Sequence, residues 1–215
     1  MTRVILVRHG ESMANKEEKF AGCRTDTPLQ ERGLRQAQLM AEYVAANYTV
    51  SRVYTSNLQR AYITGKCVAD QFGLPVIVRD ELREIDGGSW EGVTFGDMQR
   101  LYPEAYHLWV TDYGHACCPG GESVSQVAER TMAAVTAIAE ENSGKTVLIA
   151  THASPVRVMQ AMVQQGNLED MNRRIPWPAN AALNVYEFDA GHWRCREVSL
   201  DCYLGELKTE LPKNV

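Results

Sequence analysis

Residues 4–15 read VILVRHGESMAN, and this stretch decides the fold. Four apolar residues run directly into Arg8, His9, Gly10 and Glu11. A short, unbroken apolar run of this kind reads as a strand buried on both faces. In an open α/β sheet, ligands bind beyond the carboxyl ends of the strands, which is where this arginine and histidine would stand. The pattern recurs late in the chain. Residues 146–150, TVLIA, form a second buried run that hands on to Thr151, His152 and Ala153.

Working outward, Leu34, Ala37, Ala41, Val44 and Tyr48 recur at helical spacing after a loop over residues 26–33. Arg52–Thr55 and Val76–Val78 are further short strands. Between them Leu58, Ala61, Gly65, Val68 and Phe72 keep a helical stripe, with Ser56 and Gln59 spaced as a capping box. Ser123 and Gln126 repeat that spacing before another stripe, and Ser154 with Pro155 reads as a cap and first helical residue. Residues 183–188 and 193–198 flank the turn DAGH, which predicts an antiparallel hairpin. Residues 86–121 are irregular, and only 95–102 there read as helix.

Strands alternating with helices predict an α/β three-layer sandwich, with a mostly parallel central sheet flanked by helices. Residues 1–215 read as one domain, with a helical and loop insertion at about 86–121 lying over the C-terminal ends of the strands.

The composition narrows the function. A net charge of −5 argues against a nucleic-acid surface, so an anion would need a local cluster of cations. No apolar run is long enough to span a bilayer, and the first residues lack a charged-then-apolar leader pattern. Six cysteines without C-x-x-C spacing read as reduced thiols of a cytoplasmic protein.

Four strand–helix junctions can converge at one end of the sheet. They carry Arg8 and His9, then Arg60, then Glu84, then His152. Each alone has a bland explanation. Together, two histidines, two arginines and an acid at strand ends are hard to explain by packing, because buried charge needs a partner. A phosphate group would supply one, since guanidinium forks onto its oxygens. An imidazole can carry a phosphoryl group covalently, and His9 beside Gly10 is the better nucleophile. Arg8, Arg60 and a protonated His152 would hold the equatorial oxygens. Glu84 would protonate the leaving oxygen and then deprotonate water, aided by an apolar cover such as Trp90.

These residues resemble the histidine phosphatase superfamily, also called the phosphoglycerate mutase-like family. The resemblance runs through LVRHGES, Asn15, Gly22, DTPLQERG, YTSNLQRA, LREIDGGSWEG, PGGES and ATHASPVR, in that order. It implies a phosphohistidine mechanism that uses neither metal nor other cofactor. Carried onto this chain, it makes His9 the nucleophile, Glu84 the proton donor, and Arg8, Arg60 and His152 phosphate ligands. Asn15, Ala21, Gly22 and Ala153 would line the pocket. Ala21 stands where a glutamine is common, Lys19 where an arginine is, Asn57 where an acid is, and Ala153 where a glycine is frequent. These departures leave the substrate open.

The expected partner is a small phosphorylated metabolite, with a homodimer admitted. A mutase must hold a second anionic end, yet Arg100 is the only lysine or arginine between residues 86 and 121. Hydrolysis is therefore favoured over a phosphoglycerate mutase-type isomerase, and a non-catalytic phospho-ligand binder is the third reading. Specificity is expected from residues 93–119, Arg24, Arg83, Arg173 and Arg174. Cys23 is expected near the pocket mouth.

Overall fold

A computed structural model describes residues 1–209. Its strands are β1 (Thr2–Arg8), β2 (Arg52–Thr55), β3 (Val76–Val78), β4 (Thr146–Thr151), β5 (Leu183–Asp189) and β6 (His192–Leu200). Its helices are α1 (Met13–Lys16), α2 (Glu31–Asn47), α3 (Gln59–Phe72), α4 (Phe95–Leu101), α5 (Pro103–Thr111), α6 (Val124–Glu141), α7 (Ala153–Gln165) and α8 (Met171–Arg174). The strands form one sheet in the order β3-β2-β4-β1-β5-β6. The first four run parallel, while β5 and β6 are antiparallel. The α/β sandwich read from the sequence is the fold observed.

The unbroken apolar run of β1 is explained by helices on both faces. Ile5 and Val7 pack with Met40 and Val44 of α2 and Val68 of α3. Val4 and Leu6 pack with Val135 and Ile138 of α6 and Met159 of α7. Alternate side chains leave a strand on opposite faces, so all four residues from Val4 to Val7 are interior. Full burial of one such side chain contributes about 1.5–3 kcal/mol. A third cluster, separate from the sheet, gathers Phe20, Trp90, Trp109, Tyr113, Val124 and Val127 over the strand ends.

Local signals set most boundaries. Ser123 caps α6 through the Gln126 amide in a reciprocal capping box, as the spacing predicts. Gly73, at φ +63°, closes α3 in the left-handed region. In the irregular segment a second helix, α5, follows the expected one, with Pro103 at its first position. Three boundaries elsewhere also differ from the reading. α2 begins at Glu31, inside the expected loop, so Gly33 is helical, and it is a glycine because a Cβ there would fall 2.0 Å from the Glu11 carbonyl oxygen. α3 begins after Leu58 with no side-chain cap, and Ser56 is used elsewhere. α7 begins at Ala153 with His152 at the cap position, so Ser154 and Pro155 are already helical.

Candidate active site

The β1–β4 register fixes the centre of the site. Arg8 pairs with Thr151, so His9 and His152 leave the sheet side by side. The His9 amide donates to the Thr151 carbonyl (3.0 Å). The two imidazole rings stand edge to face, 5.2 Å apart between centroids. The loop carrying His9 presses on α2, where a Cβ on Gly10 would fall 2.3 Å from the Gly33 carbonyl oxygen.

Each imidazole is oriented by one hydrogen bond. His9 Nδ1 lies 2.7 Å from the Gly10 carbonyl oxygen. A carbonyl only accepts, so Nδ1 holds the proton and Nε2 of neutral His9 keeps its lone pair. His152 Nε2 lies 2.7 Å from Ser56 Oγ, and its Nδ1 is buried without a hydrogen-bond partner. Ser56 also accepts from the Leu58 amide (3.2 Å). The serine that looked like a cap therefore holds the second histidine. Burial, followed by the nearby guanidinium charge of Arg60, holds both histidines well below the ordinary imidazole pKa, so His152 is neutral and not the protonated ring expected from the sequence.

The two arginines are almost wholly buried and tied to carbonyls. Arg8 Nη1 donates to Pro178 O (2.7 Å). Arg60 Nη1 donates to Thr25 O (2.8 Å), and its Nη2 to Ala21 O (3.1 Å) and Gly22 O (3.0 Å). The Nε of each is buried with no partner. Burial pulls the Arg8 guanidinium down to about 10, still far above neutrality.

Glu84 is reached from β3 through a 3₁₀ turn at Asp80–Leu82. Thr151 Oγ1 donates to Leu82 O (2.6 Å), tying that turn to the end of β4. Arg130 of α6 clamps it from outside, donating to the carbonyls of Glu81, Arg83 and Glu84 at 2.7–3.1 Å. The Glu84 carboxyl oxygens accept from the amides of Ile85 (2.9 Å), Ala153 (3.0 Å) and Ser154 (3.2 Å). The last two are the free donors of the first turn of α7, a favourable place for an acid. Trp90, the expected cover, is buried among Phe20 and Trp109 and does not line the cavity. Its neighbours Phe20 and Trp109 do, with Phe95 and Trp177.

Arg8, His9, Asn15, Ala21, Arg60, Glu84 and Ala153 line one cavity of about 500 Å³. His152 and Gly22 stand behind that lining. Gly22 gives its carbonyl to Arg60, and a Cβ on it would fall 2.3 Å from a Glu91 carboxylate oxygen. Arg24, Arg83, Arg173 and Arg174 do not line it. Arg24 pairs with Asp86 (2.7 Å), Arg83 with Glu122 (3.3 Å) and Arg174 with Asp170 (3.6 Å). Arg100, the cation of the irregular segment, pairs with Asp97 (3.0 Å).

Cavity residues that the sequence did not reveal include Lys16, Glu18, Ser154, Trp177, Asn180 and Thr209. Asn180 donates through Nδ2 to His9 O (3.1 Å) and to Asn15 Oδ1 (3.2 Å). Thr209 in turn donates to Asn180 Oδ1 (3.1 Å). The one available signal was Trp177 set between two prolines.

Cys23, Asp86 and Glu91 place ligand-type atoms within 4.8 Å of one another. Those carboxylates are already engaged. Asp86 is forked by Arg24, and Glu91 accepts from the amides of Gly22, Arg24 and Gly87. Burial pushes the Cys23 thiol up, and the residue is not part of the cavity wall.

The chain is 29% identical to "Phosphoserine phosphatase 1" of Hydrogenobacter thermophilus, over the whole of both sequences. Among solved structures it resembles "Bacillus stearothermophilus YhfR", with a TM-score of 0.87 and 28% identity over 95% of this chain and 100% of that one. A mycobacterial glucosyl-3-phosphoglycerate phosphatase, solved with VO3, superposes with a TM-score of 0.83 at 26% identity, covering 92% of this chain and 98% of that one. The family model of the histidine phosphatase superfamily (branch 1) matches residues 4–201, and the chain belongs to that family.

Proposed function

We propose that the protein is a phosphomonoesterase that hydrolyses a small phosphorylated metabolite through a phosphohistidine on His9. The observation that carries this reading is the orientation of His9. Its Nδ1 is committed to the Gly10 carbonyl, and its depressed pKa keeps the ring neutral, so Nε2 is a nucleophile at neutral and mildly acidic pH. His9 Nε2 attacks phosphorus, and the N–P bond forms as the ester P–O bond breaks. Arg8, Arg60 and His152 bind the oxygens on which charge builds. Glu84, entering as the acid, gives its proton to the leaving alkoxide. In the second half the Glu84 carboxylate takes a proton from water, and the resulting oxygen attacks phosphorus. Inorganic phosphate leaves, and His9 is returned neutral.

The names of the relatives support hydrolysis of small phosphate esters. The wall contributed by residues 86–121 supports it as well. We read that segment as an insertion over the strand ends, and it supplies Phe95 and Trp109 to the cavity but no cation for a second phosphate. The reading is tested with p-nitrophenyl phosphate at mildly acidic pH, with chelator present. Turnover with an acid-labile, base-stable phosphoryl label on His9 is expected. No turnover by folded protein favours a binder, loss with chelator favours a metal enzyme, and transfer to a second hydroxyl in place of release favours a mutase.

A further inference from the structure

Residues 16–19 read Lys-Glu-Glu-Lys, a run that would ordinarily be a solvated patch in which the charges cancel. In the structure they separate into two different pairs. Lys19 Nζ bonds the Glu17 carboxylate at 2.8 Å, a closed pair. Lys16 and Glu18 are both exposed and line the same cavity as His9, yet among the described residues neither makes an ion pair or a side-chain hydrogen bond. Glu11, another acid on the wall, is engaged by Gln30 Nε2. Glu18 also holds φ at +52°, a left-handed conformation that favours glycine. Its amide donates to Asn15 O (3.2 Å), and its carbonyl accepts from the Phe95 amide (3.1 Å). The segment is thus fixed between α1 and α4, with one open cation and one open anion at the mouth.

We infer that Lys16 and Glu18 are specificity-determining residues that receive the carboxylate and the ammonium of an O-phosphorylated α-amino acid whose phosphate lies at His9. This rests on the phosphatase reading and names its substrate class. A substrate carrying both charges satisfies the open pair, whereas a neutral ester leaves it solvated.

The test compares wild type, Lys16→Ala and Glu18→Gln on four esters: O-phospho-L-serine, phosphoethanolamine without the carboxylate, 3-phosphoglycerate without the ammonium, and p-nitrophenyl phosphate. Lys16→Ala is expected to lower kcat/KM about three- to fivefold on the two carboxylates and to spare the others, the size of an exposed ion pair. Glu18→Gln is expected to do the same on the two amines. Equal losses on all four esters, or unchanged phosphoserine turnover, overturn the inference and leave the phosphatase standing. If wild type turns over none of the esters, the phosphatase reading fails. Calorimetric binding of O-phospho-L-serine to His9→Ala, with and without Lys16→Ala, then decides the inference, and equal affinity overturns it.

Discussion

The inner end of the cavity and its outer wall are held by different means. At the inner end four of the key side chains are pinned by backbone: His9 by Gly10, Arg8 by Pro178, Arg60 by Ala21, Gly22 and Thr25, and Glu84 by the first turn of α7. The outer wall is instead an aromatic stack. Trp109 meets Phe20, Trp90, Tyr113 and Trp177 at ring separations of 4.7–5.8 Å, and Arg157 lies 4.0 Å from the Trp177 ring. Backbone hydrogen bonds fix position to fractions of an ångström, which reaction geometry requires. Apolar stacking fixes shape and tolerates exchange of volume. On the proposed function, the chemistry belongs to the pinned inner end, while the stacked wall sets the shape of the cavity and the charges at its mouth set selectivity.

The comparison is tested most severely at His9. His9→Ala is expected to lower kcat by about 10⁴-fold or more, the scale on which removing a nucleophile acts. The fold and the affinity for phosphate should persist, because Arg8, Arg60 and His152 are held independently. A variant that keeps a tenth of wild-type turnover would show that the inner end does no covalent work.

Glu84→Gln comes next. Loss of a general acid costs about 10²–10⁴-fold. The loss should be full on alkyl phosphates and far smaller in the phosphorylation step for p-nitrophenyl phosphate, whose leaving group needs no proton. Equal losses on both would make Glu84 a structural cap of α7 rather than the acid.

Acid stability tests the inner end without substrate. His9 and His152 have folded-state pKa values depressed far below 6.5 by burial. Below about 6.5 the unfolded chain binds protons that the folded chain refuses, so stability is fully present above that pH and falls as pH drops. Each histidine is expected to remove up to about 1.4 kcal/mol per pH unit in that range. Urea melts between pH 7 and pH 5 should show the loss, and His152→Asn should show about half of it. A flat profile would mean that the site is already charged in the folded state.

Ser56→Ala removes a single neutral hydrogen bond to His152 Nε2 and leaves that nitrogen buried. About 1 kcal/mol is expected, or roughly fivefold in KM and in phosphate or vanadate affinity, with kcat little changed. A loss confined to kcat would assign Ser56 to the chemistry instead.

Ser56 also shows where the sequence stops being readable. β1 and β4 were legible because burial on both faces leaves an apolar run. His9 and His152 were legible because such runs end abruptly in polar residues. Arg60 and Glu84 were legible at the strand–helix junctions. The supports were not. Ser56 reaches His152 across 96 residues, Arg130 reaches the Glu84 turn across 46–49, and Asn180 reaches His9 across 171. Such contacts have no period and leave no local trace, so Ser56 read as a cap and Arg130 drew no reading at all. Lys16 and Glu18 were visible only as part of a charge run, since whether a charge is open or paired depends on tertiary contacts.

The smallest effect is expected where charge counting in the sequence pointed most directly. Arg24 looks like a specificity residue because it follows Gly22 and Cys23 in a loop near the phosphate pocket. In the folded chain its side chain is 55% exposed and its guanidinium turns to Asp86, with Nε 2.7 Å from the carboxylate and Nη2 3.2 Å from Gly120 O. An exposed pair of this kind contributes about 0–1 kcal/mol, screened further by salt. Arg24→Ala should therefore change kcat/KM less than about twofold on phosphoserine and on p-nitrophenyl phosphate alike, while Lys16→Ala separates the two esters. The contrast between two surface cations, one paired off the cavity and one unpaired on it, isolates position from charge. If Arg24→Ala discriminates between the esters and Lys16→Ala does not, substrate is read from the Asp86 side of the mouth, and the division between a backbone-pinned inner end and a selective rim on α1 is wrong.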